Sequence, residues 1–388
     1  MANESSLNKI HNQRKKDSGG KADSGELKAR HQKSGEKAEK GKSGETKARR
    51  EAKSWAREWL DALLFAAVAA LIIRTFFFEA YRIPTPSMEN TLLTGDFLVV
   101  SKIAYGPRTP MTLGIPFTGV YIPGLTLPWA RIPGYEDVDR YDIVVFNYPI
   151  DIAPISQKTN YIKRCVGIPG DNLEIRDKVL YVNGEQAEQF ETIQKYYEVT
   201  VRERVRLSPS KVRTAGGKII GSRSPSTYTI NMTTDAAAEL QTWSEVQNVE
   251  LAVLPNSYNE FGRRSFSFSS GFRNTDNMPQ FTVPYKGQKV NLTPDNWHIY
   301  RNIVVRYENN DVERKGETFI INGEETSTYT IRKDYYFMMG DNRDNSEDSR
   351  FWGFVPDDHV VGKAAIIYFS WDHERMFPRF GRILNLIH

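Results

Sequence analysis

The chain has 388 residues, with 52 Lys and Arg, 48 Asp and Glu, six His and a single Cys. Hydrophobic residues make up 39% of it, and the 27 Gly bring this to about 46%, which is ordinary for a globular protein and excludes a wholly disordered or fibrous chain. The lone cysteine, Cys165, excludes an intramolecular disulfide framework and a cysteine-rich zinc module. The histidines are scattered without ligand spacing, so the sequence predicts neither a metal nor an organic cofactor.

Residues 1–54 form a basic tail. They carry 15 Lys and Arg against 8 Asp and Glu, whereas the rest of the chain carries 37 against 40. The positive excess therefore lies outside the main domain, and nucleic-acid binding is not expected. The tail repeats a short Ser-Gly motif and has almost no large apolar side chains, which predicts disorder. A basic arm for nucleic acid or anionic lipid is the alternative.

The first long apolar stretch runs over residues 59–78, with Asp61 and Arg74 as its only charges. Twenty helical residues span ~30 Å, the thickness of the hydrocarbon layer of a membrane. We therefore expect a transmembrane anchor over residues 55–79, with a buried core helix as the alternative. The basic tail before it predicts a cytoplasmic N-terminus, with the remainder on the outer side. A cleaved signal peptide is disfavoured, because more than 50 residues precede the stretch.

The remainder is typical of β structure. Short runs of β-branched and aromatic residues, separated by Gly, Pro, Asn and Asp, predict strands at 97–101, 142–147, 161–166, 173–182 and 362–370. Asn183-Gly184 and Asn322-Gly323 each follow an apolar run, which is a strong hairpin signal. Residues 105–134 are rich in Pro and Gly, and we expect no regular element there. They form either a packed loop or a loop that enters the lipid surface.

Three segments carry residues that could do chemistry. Ser87 lies in a proline-stiffened turn, where most serines only make local hydrogen bonds. Lys163 lies inside an apolar strand, and burial of an ammonium group lowers its pKa and can make it a base. A solvent-exposed lysine is the alternative. Residues 338–356 are dense in charges of both signs, which indicates either an ion-pair network that fixes a loop or a solvated turn.

The order of these segments is specific. Pro-Ser87-Met88 follows the anchor, then comes Lys163-Arg164-x-Val-Gly-x-Pro-Gly-Asp171, and then Gly340-Asp-Asn-Arg-Asp-Asn-Ser-x-Asp-Ser-Arg350-x-Trp-Gly353. Together with Gly95-Asp96 and the strand from residue 141 to 146, this pattern resembles bacterial signal peptidase I. The resemblance covers the anchor to about residue 182, and again about 335–370.

The resemblance implies a Ser-Lys dyad, with Ser87 as nucleophile and Lys163 as general base. The backbone N–H of Ser87 and the hydroxyl of Thr85 would form the oxyanion hole, and Ser346 would orient Lys163 by a hydrogen bond. Many relatives have Ser-Gly where this chain has Thr85-Pro86, and threonine keeps the hydroxyl. It also implies structural ion pairs of Arg164 with Asp341 and of Asp348 with Arg350. The residues that it implies for the substrate groove are Met88, Ile83 and Pro84.

The fold expected from pattern and resemblance is mainly β: an N-terminal transmembrane helix followed by an all-β ectodomain that carries an inserted second β domain. The expected boundaries are a tail at 1–54, an anchor at 55–79, a catalytic core at 80–182, an inserted non-catalytic domain at 183–334 and the second part of the core at 335–388. A bound peptide would pair with segment 82–86 or with the strand that begins at Asp142.

The function implied is that of a membrane-bound serine endopeptidase. It would remove signal peptides from exported preproteins by cutting after A-x-A sites. Its partners would be those signal peptides and the phospholipid of the bacterial cytoplasmic membrane, with the catalytic domain on the outer face. The anchor disfavours a self-cleaving, repressor-type protease on the same fold. The presence of both Ser87 and Lys163 disfavours a catalytically inactive β module that binds exported chains.

Overall fold

The computed structural model describes residues 55, 57–114, 121–260 and 268–387, so the tail predicted at 1–54 lies outside the described residues. Helix α1 spans Arg57–Phe76 and has a mean hydropathy of 1.9 over its most apolar window. In the described part of the chain it is the one helix long and apolar enough to cross a membrane. The helix ends before residue 79, because Phe78 and Glu79 already lie in the first strand.

Strands dominate the part of the chain after α1. Their bounds are β1 Phe78–Arg82, β2 Asp96–Ser101, β3 Thr112–Gly114, β4 Tyr121–Thr126, β5 Ile143–Asn147, β6 Asn160–Gly167, β7 Asn172–Arg176, β8 Val179–Val182, β9 Glu185–Gln186, β10 Gln194–Val201, β11 Lys218–Ser224, β12 Thr227–Thr233, β13 Val246–Leu251, β14 Met278–Thr282, β15 Lys289–Asn291, β16 Val312–Lys315, β17 Thr318–Ile321, β18 Glu324–Thr326, β19 Thr328–Thr330, β20 Tyr335–Met339, β21 Val355–Pro356, β22 Val360–Asp372, β23 Phe377–Pro378 and β24 Asn385–Leu386. The short helices are α2 Pro209–Thr214, α3 Thr234–Gln241, α4 Trp297–Arg301 and α5 Ser349–Trp352, and a π-helical turn at Asn302–Tyr307 follows α4.

The largest sheet has the strand order β1-β2-β22-β5-β6-β20-β21, with β23 and β24 also paired to β22. All of its strand pairs are antiparallel. It joins strands from both predicted parts of the core, because β22 lies between β2 and β5, and β20 lies beside β6. The sheet therefore brings the ends of β6 and β20 next to each other, although they are far apart in the chain.

Residues 183–334 contribute to two separate hydrophobic cores. Strands β10 to β13 form a four-stranded sheet that packs with α2 and α3 around its own cluster, which includes Ile230, Met232 and Leu240. We call this part, residues 194–251, the inserted α/β unit. The rest, including β14 and β17, shares a core with β7, β8 and β20. The mainly β fold predicted from sequence is confirmed, with short helices added in the insert.

The predicted single strand 173–182 is in fact a hairpin. Asp177 and Lys178 both have positive φ, 47° and 66°, which makes a tight turn between β7 and β8. The Asn-Gly turns at 183–184 and 322–323 do join paired strands, as predicted. The error has a local cause: the turn uses Asp-Lys, which is a weaker sequence signal than Asn-Gly.

Residues 105–134 contain a regular element that the sequence did not predict. Strands β3 and β4 pair antiparallel, and Arg108 bridges Arg131. Strand β4 pairs with β3 alone among the described residues, and proline is tolerated in such an edge strand. Tyr105 and Met111 are buried, whereas four large apolar side chains are exposed: Ile122, Leu125, Trp129 and Ile132.

The C-terminal segment packs on the main sheet. Strands β23 and β24 pair with β22, and Arg382 forms an ion pair of 2.6 Å with the buried Asp96. Phe377, Phe380 and Leu384 remain exposed. The C-terminal segment is therefore packed, and it also carries an exposed apolar surface.

Candidate functional site

Ser87 lies in a short 3-10 turn, Pro86–Met88, that follows the first strand of the main sheet. The chain just before it is fixed on β2: Ile83 donates its N–H to Asp96 O at 2.8 Å, and its carbonyl accepts from Gly95 N at 3.0 Å. Proline at the start of the turn has its φ already set, which stiffens the approach to Ser87. The side chain of Ser87 is mostly buried.

Lys163 approaches Ser87 from β6. Its Nζ donates to Ser87 Oγ at 2.8 Å and to Ile162 O at 3.0 Å. The lysine is only 4% exposed. Burial lowers the pKa of Lys163 to about 8, although the carboxylates of Asp348, Glu347 and Asp341 act in the opposite direction. About a tenth of this amine is therefore neutral at pH 7, far more than for an ordinary lysine, and the neutral form is what a general base requires.

The residues assigned to the oxyanion hole meet at the same turn. Thr85 is the residue before the turn and has extended backbone, φ −127° and ψ 154°. Its side chain is exposed and makes no capping hydrogen bond to the turn. The Thr85 hydroxyl therefore makes no capping hydrogen bond to the turn that carries Ser87 and can donate to an oxyanion there.

The charged segment predicted to fix a loop leads directly out of β20. Met338 and Met339 of this strand pair with Cys165 and Arg164, so the loop after β20 begins beside the base. Gly340 is required there: a Cβ on it would lie 2.2 Å from Ser346 Oγ and 2.6 Å from Ser87 O. Close approach of two backbones at this point is possible only without a side chain.

Ser346 is buried in this loop. Its Oγ has no hydrogen-bond partner among the described residues, and the hydrogen bonds of Lys163 go to Ser87 and Ile162 instead. The structure thus places Ser346 near the nucleophile's backbone but does not join it to Lys163 in this state.

Both predicted ion pairs are present behind the site. Arg164 contacts Asp341 through two hydrogen bonds of 2.9 and 2.7 Å, and Arg350 contacts Asp348 through two of 2.8 Å. All four groups are buried. Burial alone raises the pKa of Asp348, but Arg350 and the N–H of Gly340 outweigh it and hold that pKa below its usual range. These pairs fix the loop in one conformation.

The residues assigned to the substrate groove are not equivalent. Ile83 and Met88 are fully buried in a core cluster with Leu92 and Leu98, and Met88 Sδ accepts from Asp341 N at 3.4 Å. Pro84 is exposed. In this state Pro84 is therefore the one of the three with substantial side-chain surface for a bound peptide.

One functional contact was missed from the sequence. Asn342 donates its side-chain Nδ2 to Pro86 O at 3.0 Å and its backbone N–H to Ser87 O at 3.1 Å. It therefore holds the nucleophile turn from the loop side. Asn342 belongs to the Gly-Asp-Asn-Arg motif that carried the resemblance, so the signal was available, but its role depends on a long-range contact.

The strand that begins at Asp142 was a candidate for pairing with a bound peptide. In the structure this strand, β5, pairs with β22 on one side and with β6 on the other. It has no free edge, so it cannot add a peptide strand. Segment 82–86 remains as the candidate. Ile83 is bonded to Gly95 and Asp96, whereas the next two residues, 84 and 85, are exposed. In the described part of the chain no group of His, Cys, Asp and Glu side chains could hold a metal ion.

Comparison with known proteins adds independent information. A family model described as "Signal peptidase, peptidase S26" matches residues 56–262 and 281–371. "Signal peptidase I" of Buchnera aphidicola subsp. Acyrthosiphon pisum is 27% identical over 319 residues, which cover 81% of this chain and 76% of that protein. "Signal peptidase I" of Pseudomonas aeruginosa is 26% identical over 331 residues, which cover 82% of this chain and 74% of that protein.

A crystal structure of a signal peptidase I from Enterococcus faecalis V583 also overlaps with this fold. The TM-score is 0.23 at 16% identity, and the overlap covers 59% of this chain and 97% of that one. So low a score supports no comparison of the two sites.

Proposed function

The chain belongs to the signal peptidase family, peptidase S26, and from that premise we propose that it cuts signal peptides with a Ser87–Lys163 dyad. Serine peptidase activity on the signal peptides of exported preproteins comes with the family. The observation that carries the dyad is the 2.8 Å contact between Lys163 Nζ and Ser87 Oγ, made by a buried lysine. In this geometry a neutral Lys163 can take the hydroxyl proton directly.

The reaction runs in two halves. Ser87 Oγ attacks the carbonyl carbon of the scissile bond while its proton passes to Lys163 Nζ. The tetrahedral oxyanion is stabilised by the Thr85 hydroxyl and the Ser87 N–H. The Lys163 ammonium then gives its proton to the leaving amine, which is the new N-terminus of the mature protein. The signal peptide remains as an ester on Ser87 until Lys163 activates a water that hydrolyses it.

The substrate is proposed to bind as an extended strand along segment 82–86 and to be cut after an A-x-A sequence. The A-x-A preference rests on the family, since two of the predicted groove residues, Ile83 and Met88, are buried. The backbone N–H and carbonyl of Thr85 and the carbonyl of Pro84 would do the pairing, because Pro84 and Pro86 have no N–H to donate. Such contacts would hold many different signal peptides, because main-chain hydrogen bonds do not depend on sequence.

The orientation in the membrane is also proposed. Helix α1 has the length and hydropathy of a membrane span. The basic residues before it favour a cytoplasmic N-terminus, and residues after it would lie on the outer face of the bacterial cytoplasmic membrane. Exported preproteins emerge on that face, so the site and its substrate would meet there. Labelling of an engineered cysteine at exposed Asn248 in intact cells tests this placement; protection from an impermeant reagent would contradict it.

Cleavage of a preprotein that ends its signal in A-x-A tests the dyad. The full chain in detergent is compared with Ser87→Ala, Lys163→Met and Ser346→Ala, and mass spectrometry locates the cut. We expect cleavage after the second Ala by the unaltered chain and none by the first two variants. Ser346→Ala is expected to retain part of the activity. Cleavage by folded Ser87→Ala or Lys163→Met would overturn the dyad.

A further inference from the structure

The nucleophile turn is connected by hydrogen bonds to the inserted α/β unit. Asn342, which binds the turn, is itself completely buried, and its side-chain oxygen accepts from Asn231 Nδ2 at 2.9 Å. Asn231 lies 111 residues away in the chain, in β12 of the unit. A second contact runs in parallel, because Gln194 N donates to Asp341 O at 2.9 Å.

The orientation of both amides follows from simple chemistry. The carbonyl oxygen of Pro86 can only accept a hydrogen bond, so the amide that faces it must be the NH₂ of Asn342. The Asn342 oxygen therefore points toward Asn231, and the NH₂ of Asn231 must face it. The donor end of Asn231 thus stabilises the orientation of the Asn342 side chain that the Pro86 carbonyl requires.

The placement of Asn231 does not serve the core of its own unit. Its strand neighbours Ile230 and Met232 are fully buried in the core of the unit, and alternation turns Asn231 to the opposite face. Its side-chain oxygen is buried without a hydrogen-bond partner in the described residues. An unsatisfied buried acceptor destabilises a fold, so an asparagine here is unfavourable for stability by itself. Its NH₂ group donates to Asn342 at 2.9 Å and to Gln194 Oε1 at 3.2 Å, and the contact with Asn342 is the one that leads to the nucleophile turn.

We propose that Asn231 is a positioning residue, by which the inserted α/β unit holds Asn342 and, through it, the backbone of Ser87. The unit thereby acts on the reaction without touching the substrate. This inference rests on the proposed function of Ser87. Ile83 is held by Gly95 and Asp96, and these hydrogen bonds involve neither Asn231 nor Asn342. Substrate binding along segment 82–86 is therefore not expected to depend on Asn231.

The test compares kcat and KM of the full chain in detergent on an A-x-A preprotein, for the unaltered chain, Asn231→Asp and Asn231→Ala. Both variants remove the donor, and we expect kcat to fall on the order of tenfold or more with KM within about twofold, because small displacements of a reacting group are costly. At lower pH the carboxyl group introduced by Asn231→Asp becomes protonated and can donate again. The activity of Asn231→Asp relative to the unaltered chain should therefore recover, whereas that of Asn231→Ala should not.

Two control variants distinguish misplacement of the nucleophile turn from a loss of folding stability. Ile230→Val weakens the core of the same strand, and Asn248→Asp makes the same chemical change on exposed β13 of the same sheet. Both should keep the kcat of the unaltered chain even where the midpoint of thermal unfolding drops. If Asn231→Asp and Asn231→Ala keep kcat, or lose it only in step with thermal stability as Ile230→Val does, the positioning role is wrong.

Ser87→Ala in the same assay separates this inference from the function on which it rests. Cleavage by the unaltered chain, none by Ser87→Ala and full kcat in both Asn231 variants would overturn the positioning role alone. No cleavage by the folded, unaltered chain would overturn both.

Discussion

Lys163 and Lys158 are two buried lysines, one at the site and one just before the strand that carries it. Burial lowers the pKa of both to about 8, and for Lys158 the charge of Arg306 acts in the same direction. Their partners differ. Lys163 Nζ faces the hydroxyl of Ser87 at 2.8 Å, whereas Lys158 Nζ contacts Pro149 O and His359 Nε2, each at 3.0 Å.

The surroundings of Lys158 include a histidine and an aspartate, two of the usual catalytic residue types. His359 Nδ1 bonds Asp358 at 2.7 Å, and Lys333 binds the other oxygen of that carboxylate at 2.6 Å. Burial lowers the pKa of His359 to about 4 against the effect of Asp358, so the ring is neutral and can accept from Lys158. Among the described residues, the hydrogen-bond partners of the Lys158 ammonium are a backbone carbonyl and an imidazole, and neither a hydroxyl nor a thiol. A lowered pKa becomes catalytic only when the amine faces a nucleophile.

The largest effect that would test this comparison comes from one substitution made at both lysines. Arginine keeps the charge but cannot act as a base at any ordinary pH. Lys163→Arg should lower kcat at least about a thousandfold, in the range seen when a nucleophile loses its base. Lys158→Arg should keep kcat within about threefold and change mainly thermal stability. A comparable loss of kcat in folded Lys158→Arg would break the comparison.

The surroundings of Lys163 differ from those of Lys158 in a second way: the Thr85 hydroxyl lies close to the nucleophile along the chain and is available to an oxyanion. Thr85→Val removes that hydroxyl with little change in shape, and we expect kcat to fall about 10²–10³-fold, as for other oxyanion donors. Thr159 is the matched control, because it is an exposed threonine next to Lys158 that bonds Asp151 at 3.2 Å. Thr159→Val should leave kcat unchanged. Full activity in Thr85→Val would remove Thr85 from the oxyanion hole.

A third test concerns how tightly the loop packs on the nucleophile. In Gly340→Ala the new Cβ would lie 2.6 Å from Ser87 O, so the backbone must shift, and we expect kcat to fall about a hundredfold. In Gly221→Ala, on β11 of the inserted unit, nothing lies within 4 Å of the new Cβ. Gly221→Ala should change neither kcat nor the midpoint of thermal unfolding. An unchanged kcat in Gly340→Ala would show that the loop can relax without moving Ser87.

The smallest expected effect is the pH dependence. Lys163 must be neutral to accept the proton, and its pKa is lowered to about 8, so the ammonium form dominates below that value. The kcat/KM of the unaltered chain should therefore rise about tenfold between pH 7 and pH 9 and then level off, because kcat/KM follows the ionisation of the free enzyme. Lys158→Arg should give the same curve, because Lys158 does not take part. A changed midpoint in Lys158→Arg would mean that the two lysines are coupled.

Local signals in the sequence located β2, β5, β6 and β22, merged β7 and β8 into one strand, and predicted the hairpins in part. The Asn-Gly pairs at 183–184 and 322–323 mark real turns, because glycine and asparagine adopt positive φ easily. The turn at Asp177-Lys178 was missed, since Lys178 is neither type and its side chain is also buried, in contact with Asp344 at 2.5 Å. An ion pair across 166 residues leaves no local trace in the sequence.

The candidate site divides in the same way. Ser87, Lys163 and the motif at 340–353 could be found because their order resembles a known family, and the structure then brings the first two together. The buried positions of Ile83 and Met88 and the paired edges of β5 could not be found this way. They depend on which strands become neighbours, and alternation along one strand does not specify its partner.

The sequence by itself determined the residue types and the local conformations: a helix long and apolar enough to span a membrane, short strands, tight turns, and a serine, a lysine and a charged loop in a specific order. Tertiary structure alone decided which buried lysine faces a hydroxyl and that Asn231 reaches Asn342. The physical reason is the distance along the chain over which each kind of interaction acts. Backbone preference and periodicity act over a few residues, whereas these contacts are set by the pairing of β6 with β20 and by the packing of the insert against the loop that follows β20.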